Sequence, residues 1–377
     1  MKVTYIPDFL FDGDTFHTDV PVTVSDGVIS SLDIENGAKE VRIPGTLAPG
    51  FVDLQVNGGG GLLFNHFPTY STLEKMISAH SRYGTTCLLP TVITSDINTI
   101  RRAADAVSEA ITKKLPGVIG IHFEGPHISA AKKGIHDASQ IRELSDEEMA
   151  IYSRQDLGYR LLTVAPENVS NRQIHQLKEC GVKVCIGHSA SSYQRTMSAI
   201  SAGAAGFTHL FNAMSPLTSR EPGVVGAALT ADSCWCGIIM DGLHVHEAAA
   251  KIALKCKPKG KLFLVTDAMS TIGSNQNCFE LDGREITLSD GALTDASGTL
   301  AGSALDMVTA VNNSISALGM DVGEALRMAS RYPGNFLDEN NEFGTLMPGK
   351  QANFTQLIIN QGRLQVQHSW INGQPYY

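Results

Sequence analysis

The chain has no excess of positive charge, no long apolar run and no paired cysteines, and each absence narrows what it can do. Lys and Arg number 29 against 38 Asp and Glu, a formal net charge of −9. Without a broad positive field, a nucleic-acid groove or an anionic membrane surface is not an expected partner, and an anionic ligand must be held by a few local groups. No span approaches the roughly 20 apolar residues that a bilayer crossing takes. Residues Met1 to Phe11, with one lysine followed by Pro7-Asp8, lack the charged-then-apolar order of a signal peptide. The seven cysteines (Cys87, Cys180, Cys185, Cys234, Cys236, Cys256 and Cys278) are odd in number and form no Cys-x-x-Cys pair. They read as free thiols of a reducing compartment, which makes the expected location cytoplasmic.

What is there suits a large buried core: 377 residues, of which 43% are hydrophobic. The texture of the chain divides it in three. Residues 1–46 alternate β-rich runs with turns, such as Val20–Val24, Ser25-Asp26-Gly27 and Val28–Leu32, and residues 344–377 repeat that style around Asn360-Gln361-Gly362 and Asn372-Gly373. Both ends are expected to form small antiparallel strands meeting in one small β-sandwich domain. Between them, residues 47–343 carry eight apolar runs, each followed by loop signals and a helix-like segment: Leu47–Leu54, Thr85–Pro90, Gly117–Phe123, Leu161–Ala165, Val182–Ile186, Gly206–Leu210, Cys236–Met240 and Leu262–Thr266. Continuous apolar strands alternating with helices imply a parallel sheet buried on both faces. The expected fold is α/β, a closed (β/α)8 barrel, with a doubly wound open sheet as the alternative. Cys278–Leu300 breaks the pattern with a hairpin around Asp282-Gly283, read as a late insertion.

Catalytic groups of such barrels sit where strands end, so the polar residues just after the apolar runs matter most. Glu124 follows His122-Phe123, His188 follows Ile186-Gly187, His209 follows Phe207-Thr208, and Asp267 follows Val265-Thr266. One carboxylate and two imidazoles are the ligand set of an open catalytic zinc site, and Asp267 is then free for proton transfer. That is equipment for amide hydrolysis.

The wording around these residues points to a family. His122-Phe123-Glu124-Gly125-Pro126, Lys133-Gly134-Ile135-His136, Ala165-Pro166-Glu167, Gly187-His188-Ser189, Thr208–Met214, Arg220-Glu221-Pro222-Gly223, Asp241–Val245 and Val265–Ala268 together resemble the N-acetylglucosamine-6-phosphate deacetylases of the amidohydrolase superfamily. The resemblance extends to Gly50-Phe51-Val52-Asp53 before the barrel and Gly344–Lys350 after it. It implies Glu124, His188 and His209 as metal ligands, Asp267 as catalytic acid/base, and His136 as the group that helps polarise the acetyl carbonyl. It further implies sugar-phosphate contacts from Asn212, Ala213, Arg220 and His244, and a pocket wall from the backbone around Leu300, Ala301 and Gly302. The implied assembly is a homodimer or a dimer-based homotetramer, with one phosphate contact able to come from a neighbouring subunit.

Where many amidohydrolases carry His-x-His on the first strand, this chain has Gln55-Val56-Asn57. Neutral amides are poor zinc ligands, so one divalent metal is expected, with Gln55 a contributor behind the ligands. Zn2+ is the first choice; Fe2+, Co2+, Mn2+ and Ni2+ suit the same ligand set. Arg220 supplies a planar fork suited to phosphate oxygens. The expected reaction converts N-acetylglucosamine 6-phosphate to glucosamine 6-phosphate and acetate. The alternatives are the galactosamine epimer, hydrolysis of a cyclic amide or a deamination, and a non-catalytic sugar-phosphate sensor. Asn57-Gly58-Gly59-Gly60-Gly61 lacks the Lys-Ser/Thr of a P-loop and reads as a tight turn or a mobile loop over the pocket. His127 and His246 neighbour the site; His122 is read as core, and His17, His66, His80, His175 and His368 as structural or surface residues.

Overall fold

Apolar runs that must be buried on both faces can close on themselves, and here they do. The computed structural model describes residues 2–377. Its central sheet has 8 parallel strands in sequential order: Phe51–Val56, Thr85–Ile93, Gly120–Glu124, Tyr159–Val164, Lys183–Ile186, Gly206–Phe207, Trp235–Ile238 and Leu262–Leu264. The first and last meet through a parallel bridge between Val56 and Ala268 and the bond Asp267 N–H to Gln55 O, 2.9 Å. Every residue of the second and third strands is buried, as expected for barrel staves covered outside by helices and filled inside by side chains.

The helices start where short polar side chains offer caps. Asp96 accepts from Asn98 and Thr99 ahead of Ile97–Thr112, and Ser145 and Ser170 form capping boxes with Glu148 and Gln173. Thr85–Ile93 outlasts the expected end at Pro90. The ladder between the first two strands is irregular just before the Val56–Pro90 pair, a break at which a residue without an N–H can be accommodated.

The two chain ends share one mixed sheet of 8 strands. From one edge it runs Gln374–Pro375, Arg363–Ile371, Phe354–Asn360, Lys39–Pro49, Lys2–Phe11, Val22–Ser25 and Val28–Ser31, with Phe16–Thr18 paired to Lys2–Phe11. The pairs are antiparallel as expected, except that Lys2–Phe11 and Lys39–Pro49 run parallel. The face of this sheet is held by Tyr5, Phe354 and Trp370, whose rings lie 5.0 to 5.5 Å apart. Lys39–Pro49 leads through Gly50 directly into the first barrel strand.

The insertion is a meander of Cys278–Leu281, Arg284–Ser289 and Ala292–Thr294. Its first turn places Asp282 and Gly283 at φ 49° and 74°, the backbone a type I′ hairpin demands. Leu281, Ile286 and Leu293 pack on Leu63, Ile93, Ile135 and Met269 at the barrel mouth. Among the described residues no helix is long and apolar enough to cross a membrane.

Phe354→Ala tests the weight of the terminal sheet. Removing this fully buried ring is expected to cost about 3–5 kcal/mol in urea unfolding; an unchanged midpoint would show that the sheet lies outside the cooperative unit.

Candidate active site

The C-terminal ends of the third, fifth, sixth and eighth strands bring four polar side chains to one cavity of about 340 Å3. That volume lies at the lower end of the range for small-ligand pockets. Glu124 ends the third strand, and its Oε1 lies 3.0 Å from His209 Nε2 and 3.3 Å from His188 Nε2. The two Nε2 atoms are 3.0 Å apart. Asp267 lines the same cavity.

His188, His209 and Asp267 have φ of 46°, 33° and 54°, the left-handed region that costs a non-glycine residue about 1–3 kcal/mol. This backbone turns each side chain inward as its strand ends. Gly187 makes one such turn feasible: a Cβ there would lie 2.8 Å from Thr163 Cγ2 and 3.0 Å from Thr208 Cβ.

The donor set fits a divalent cation. One carboxylate and two imidazole ligand atoms lie within 4.8 Å of one another, all on buried residues. His188 Nδ1 lies 2.8 Å from the Lys132 carbonyl; a carbonyl only accepts, so Nδ1 carries a ring proton and Nε2 is the atom turned to the cluster, able to donate to Glu124 or to offer a lone pair to a cation. His209 Nδ1 is buried with no protein partner. Burial alone would raise the Glu124 carboxyl, but hydrogen bonds and charge from His188 and His209 more than offset this and hold it well below the usual range.

Asp267 is held differently. Burial and the nearby Glu124 push its carboxyl up to about 6, near the range useful for proton transfer. Asn57 Nδ2 donates to Asp267 Oδ1 at 2.6 Å, and Gln55 Nε2 donates to Glu124 Oε1 at 3.1 Å. Both first-strand amides therefore act as donors to the carboxylates. His136 lines the cavity with its ring centroid 4.4 Å from that of His188. Burial, aided by His188, pushes its imidazole down to about 3, so the ring is neutral.

Asn212, Ala213, His244, Leu300 and Gly302 also line the cavity. His244 Nδ1 is held 2.6 Å from Asp241 Oδ2, which leaves Nε2 for a ligand. Two of the expected residues are not among those lining the cavity. Ala301 packs its side chain, fully buried, among Leu281, Ile286 and Leu293 of the insertion core, between the two lining residues Leu300 and Gly302. Arg220 stays on an exposed loop outside the lining of a single chain.

The histidines left open now have places. His127 points away from the cavity, fully buried, with Nε2 3.1 Å from the Tyr152 hydroxyl and Nδ1 3.1 Å from the Arg142 carbonyl. His246 caps the helix Glu247–Cys256. His122 is core, 2.7 Å from Thr163 Oγ1. The glycine-rich segment is a tight hairpin: the Gly58, Gly60 and Gly61 N–H groups bond the carbonyls of Ala268, Ile272 and Ser270, which leaves them unavailable as a phosphate cradle. Lys132, Ile93, Ile135, Met269 and Thr299 line the cavity without having been singled out in the sequence. Thr94 was also missed, although it is the first polar residue after the second strand and lies 2.7 Å from His136 Nδ1.

Comparison with known proteins places the chain in a family. The amidohydrolase family model matches residues 46–375. The chain is 47% identical to an N-acetylgalactosamine-6-phosphate deacetylase of Shewanella sp. (strain ANA-3), over 94% of this chain and 91% of the other. It is 34% identical to an N-acetylglucosamine-6-phosphate deacetylase of Haemophilus influenzae, over 93% and 92%. The crystal structure of N-acetylglucosamine-6-phosphate deacetylase from Pasteurella multocida superposes with a TM-score of 0.94 at 33% identity, over 100% of this chain and 99% of that one. With its barrel, its Glu-His-His cluster and this likeness along its whole length, the chain belongs to the amidohydrolase family, in the group formed by the N-acetylhexosamine-6-phosphate deacetylases.

Proposed function

We propose that the chain hydrolyses the acetamide of N-acetylglucosamine 6-phosphate, releasing acetate and glucosamine 6-phosphate. The observation that carries this reading is the meeting of Glu124, His188 and His209 beside a separately held Asp267 in one cavity. Glu124, His188 and His209 would hold a single divalent ion, Zn2+ first and Fe2+, Co2+, Mn2+ or Ni2+ as substitutes. When bound, that ion supplies Lewis acidity and makes water a competent nucleophile near neutral pH. A single ion is favoured because Gln55 and Asn57 turn N–H groups toward Glu124 and Asp267, where a second ion would need lone pairs.

Asp267 takes the proton of the attacking water and returns it to the sugar nitrogen as the C–N bond breaks. His136 donates a hydrogen bond to the acetyl oxygen as negative charge builds there. His244 and Asn212 position the sugar phosphate, with Leu300 and Gly302 as a wall. Lys132 also lines the cavity. Arg220, exposed and outside the single-chain cavity, suits a phosphate contact to the site of a second copy, consistent with a homodimer or a dimer-based homotetramer. Seven free cysteines suit a cytoplasmic setting.

A second reading, the galactosamine epimer, is favoured by the 47% identity to a relative named for that substrate. Acetate release from the two epimers, each assayed with and without chelator, tests both. Chelator-sensitive turnover restored by Zn2+ is expected, and the epimer with the larger kcat/KM is the substrate; no acetate from either would end the proposal.

Asp267→Asn is expected to lower kcat by about 10^2–10^4-fold while bound metal stays at the wild-type level; near-normal turnover would remove Asp267 from the mechanism. Arg220→Ala is expected to raise KM about 10-fold or more with kcat little changed, since a charge-assisted hydrogen bond contributes about 1.5–3 kcal/mol. An unaltered KM would take Arg220 out of the phosphate site.

A further inference from the structure

Two imidazoles stand side by side at the cavity, and their outer nitrogens meet opposite kinds of group. His188 Nδ1 faces the Lys132 carbonyl at 2.8 Å, which can only accept. His136 Nδ1 faces the Thr94 hydroxyl at 2.7 Å, which can donate or accept. A neutral imidazole has one N–H, so the partner of one nitrogen decides what the other can do.

The Thr94 hydroxyl has one proton and two acceptors in reach. One is His136 Nδ1 at 2.7 Å; the other is the Glu124 carbonyl at 3.5 Å, the outer limit of hydrogen-bond geometry. A proton on the short contact makes Nδ1 an acceptor and puts the ring proton on Nε2. A proton on the long contact would be spent on a poor bond. Thr94 and His136 are 2% and 3% exposed, so the hydroxyl is shielded from solvent partners, and Gly125 leaves room for it: a Cβ there would lie 2.3 Å from Thr94 Oγ1. Threonine is also stiff about χ1.

We propose that Thr94 is a positioning residue whose O–H donates to His136 Nδ1 and so fixes the ring as the tautomer with its proton on Nε2, aimed into the cavity. A carbonyl holds a ring proton on His188 Nδ1, and a hydroxyl sets its neighbour as a hydrogen-bond donor. The catalytic consequence rests on the reading above that His136 donates to the acetyl oxygen; the tautomer itself does not.

Histidine-selective 15N labelling reads the tautomer directly in two-bond proton–nitrogen spectra of the zinc-loaded and the metal-free protein, with His136→Asn assigning the resonances. Nδ1 of His136 is expected to resonate as an unprotonated nitrogen and Nε2 as a protonated one. A protonated Nδ1 in the wild-type spectrum overturns the proposal, whether or not the protein releases acetate. Thr94→Val, similar in shape but without the donor, is expected to lose this signature and to lower kcat about 10–100-fold with KM little changed, the usual effect of removing such an orienting partner. Thr94→Ser is expected to restore both. A Val variant with wild-type kcat and an unchanged spectrum overturns it equally. If the Val variant does not fold, the wild-type and Ser spectra still decide.

Discussion

The burial of the Glu124 carboxylate at the mouth of the barrel is the constraint on which the site depends. At 2% exposure an ionised carboxylate needs compensation, since the desolvation cost of a bare buried charge is several kcal/mol. His188 and His209 supply it from two other strands, and Gln55 adds an amide hydrogen bond from a third. Each partner must arrive at one oxygen from its own direction. That demand accounts for the left-handed backbone at His188 and His209 and for the glycine before His188. A divalent cation would serve the same end more completely, because it turns the crowded lone pairs into ligands.

The two acidic residues divide the work because their surroundings differ. Glu124 is surrounded by imidazoles and kept ionised, whereas Asp267 is buried, feels Glu124 as a like charge, and rises to about 6. The first strand maintains the division, with Gln55 turned to one carboxylate and Asn57 to the other. A behind-the-site network extends it: Asp53, two residues earlier, accepts from the Thr266 hydroxyl and N–H at 2.5 and 3.2 Å. The residue before Asp267 is thus pinned to the strand that carries Asn57.

Much of this could be read from the chain itself, for identifiable reasons. Parallel strands buried on both faces leave long apolar runs, and the first polar residue beyond each run points at the site; Glu124, His188, His209 and Asp267 all obey that rule. Thr94 obeys it too but was hidden, because Pro90 reads as the end of a strand that in fact continues to Ile93. The turns at Asp26-Gly27, Gln361-Gly362 and Asn372-Gly373 announce the hairpins of the terminal sheet. The parallel pairing of Lys2–Phe11 with Lys39–Pro49 had no local signal, since nothing in either strand names a partner so far along the chain.

Arg220 marks a limit of a different kind. Its residue type is suited to phosphate, yet one chain leaves it exposed and away from the cavity. A sugar phosphate brings close to two negative charges to a protein that already carries −9 and to a cavity floored by Glu124 and Asp267. Within one chain the lining residues that carry or can carry positive charge include Lys132 and His244, with apolar residues Ile93, Ile135, Met269 and Leu300 beside them. A phosphate there would meet little positive charge from the lining residues themselves. An arginine placed beside His188 and His209 would pair with Glu124, so an exposed loop keeps that positive charge off the buried carboxylate.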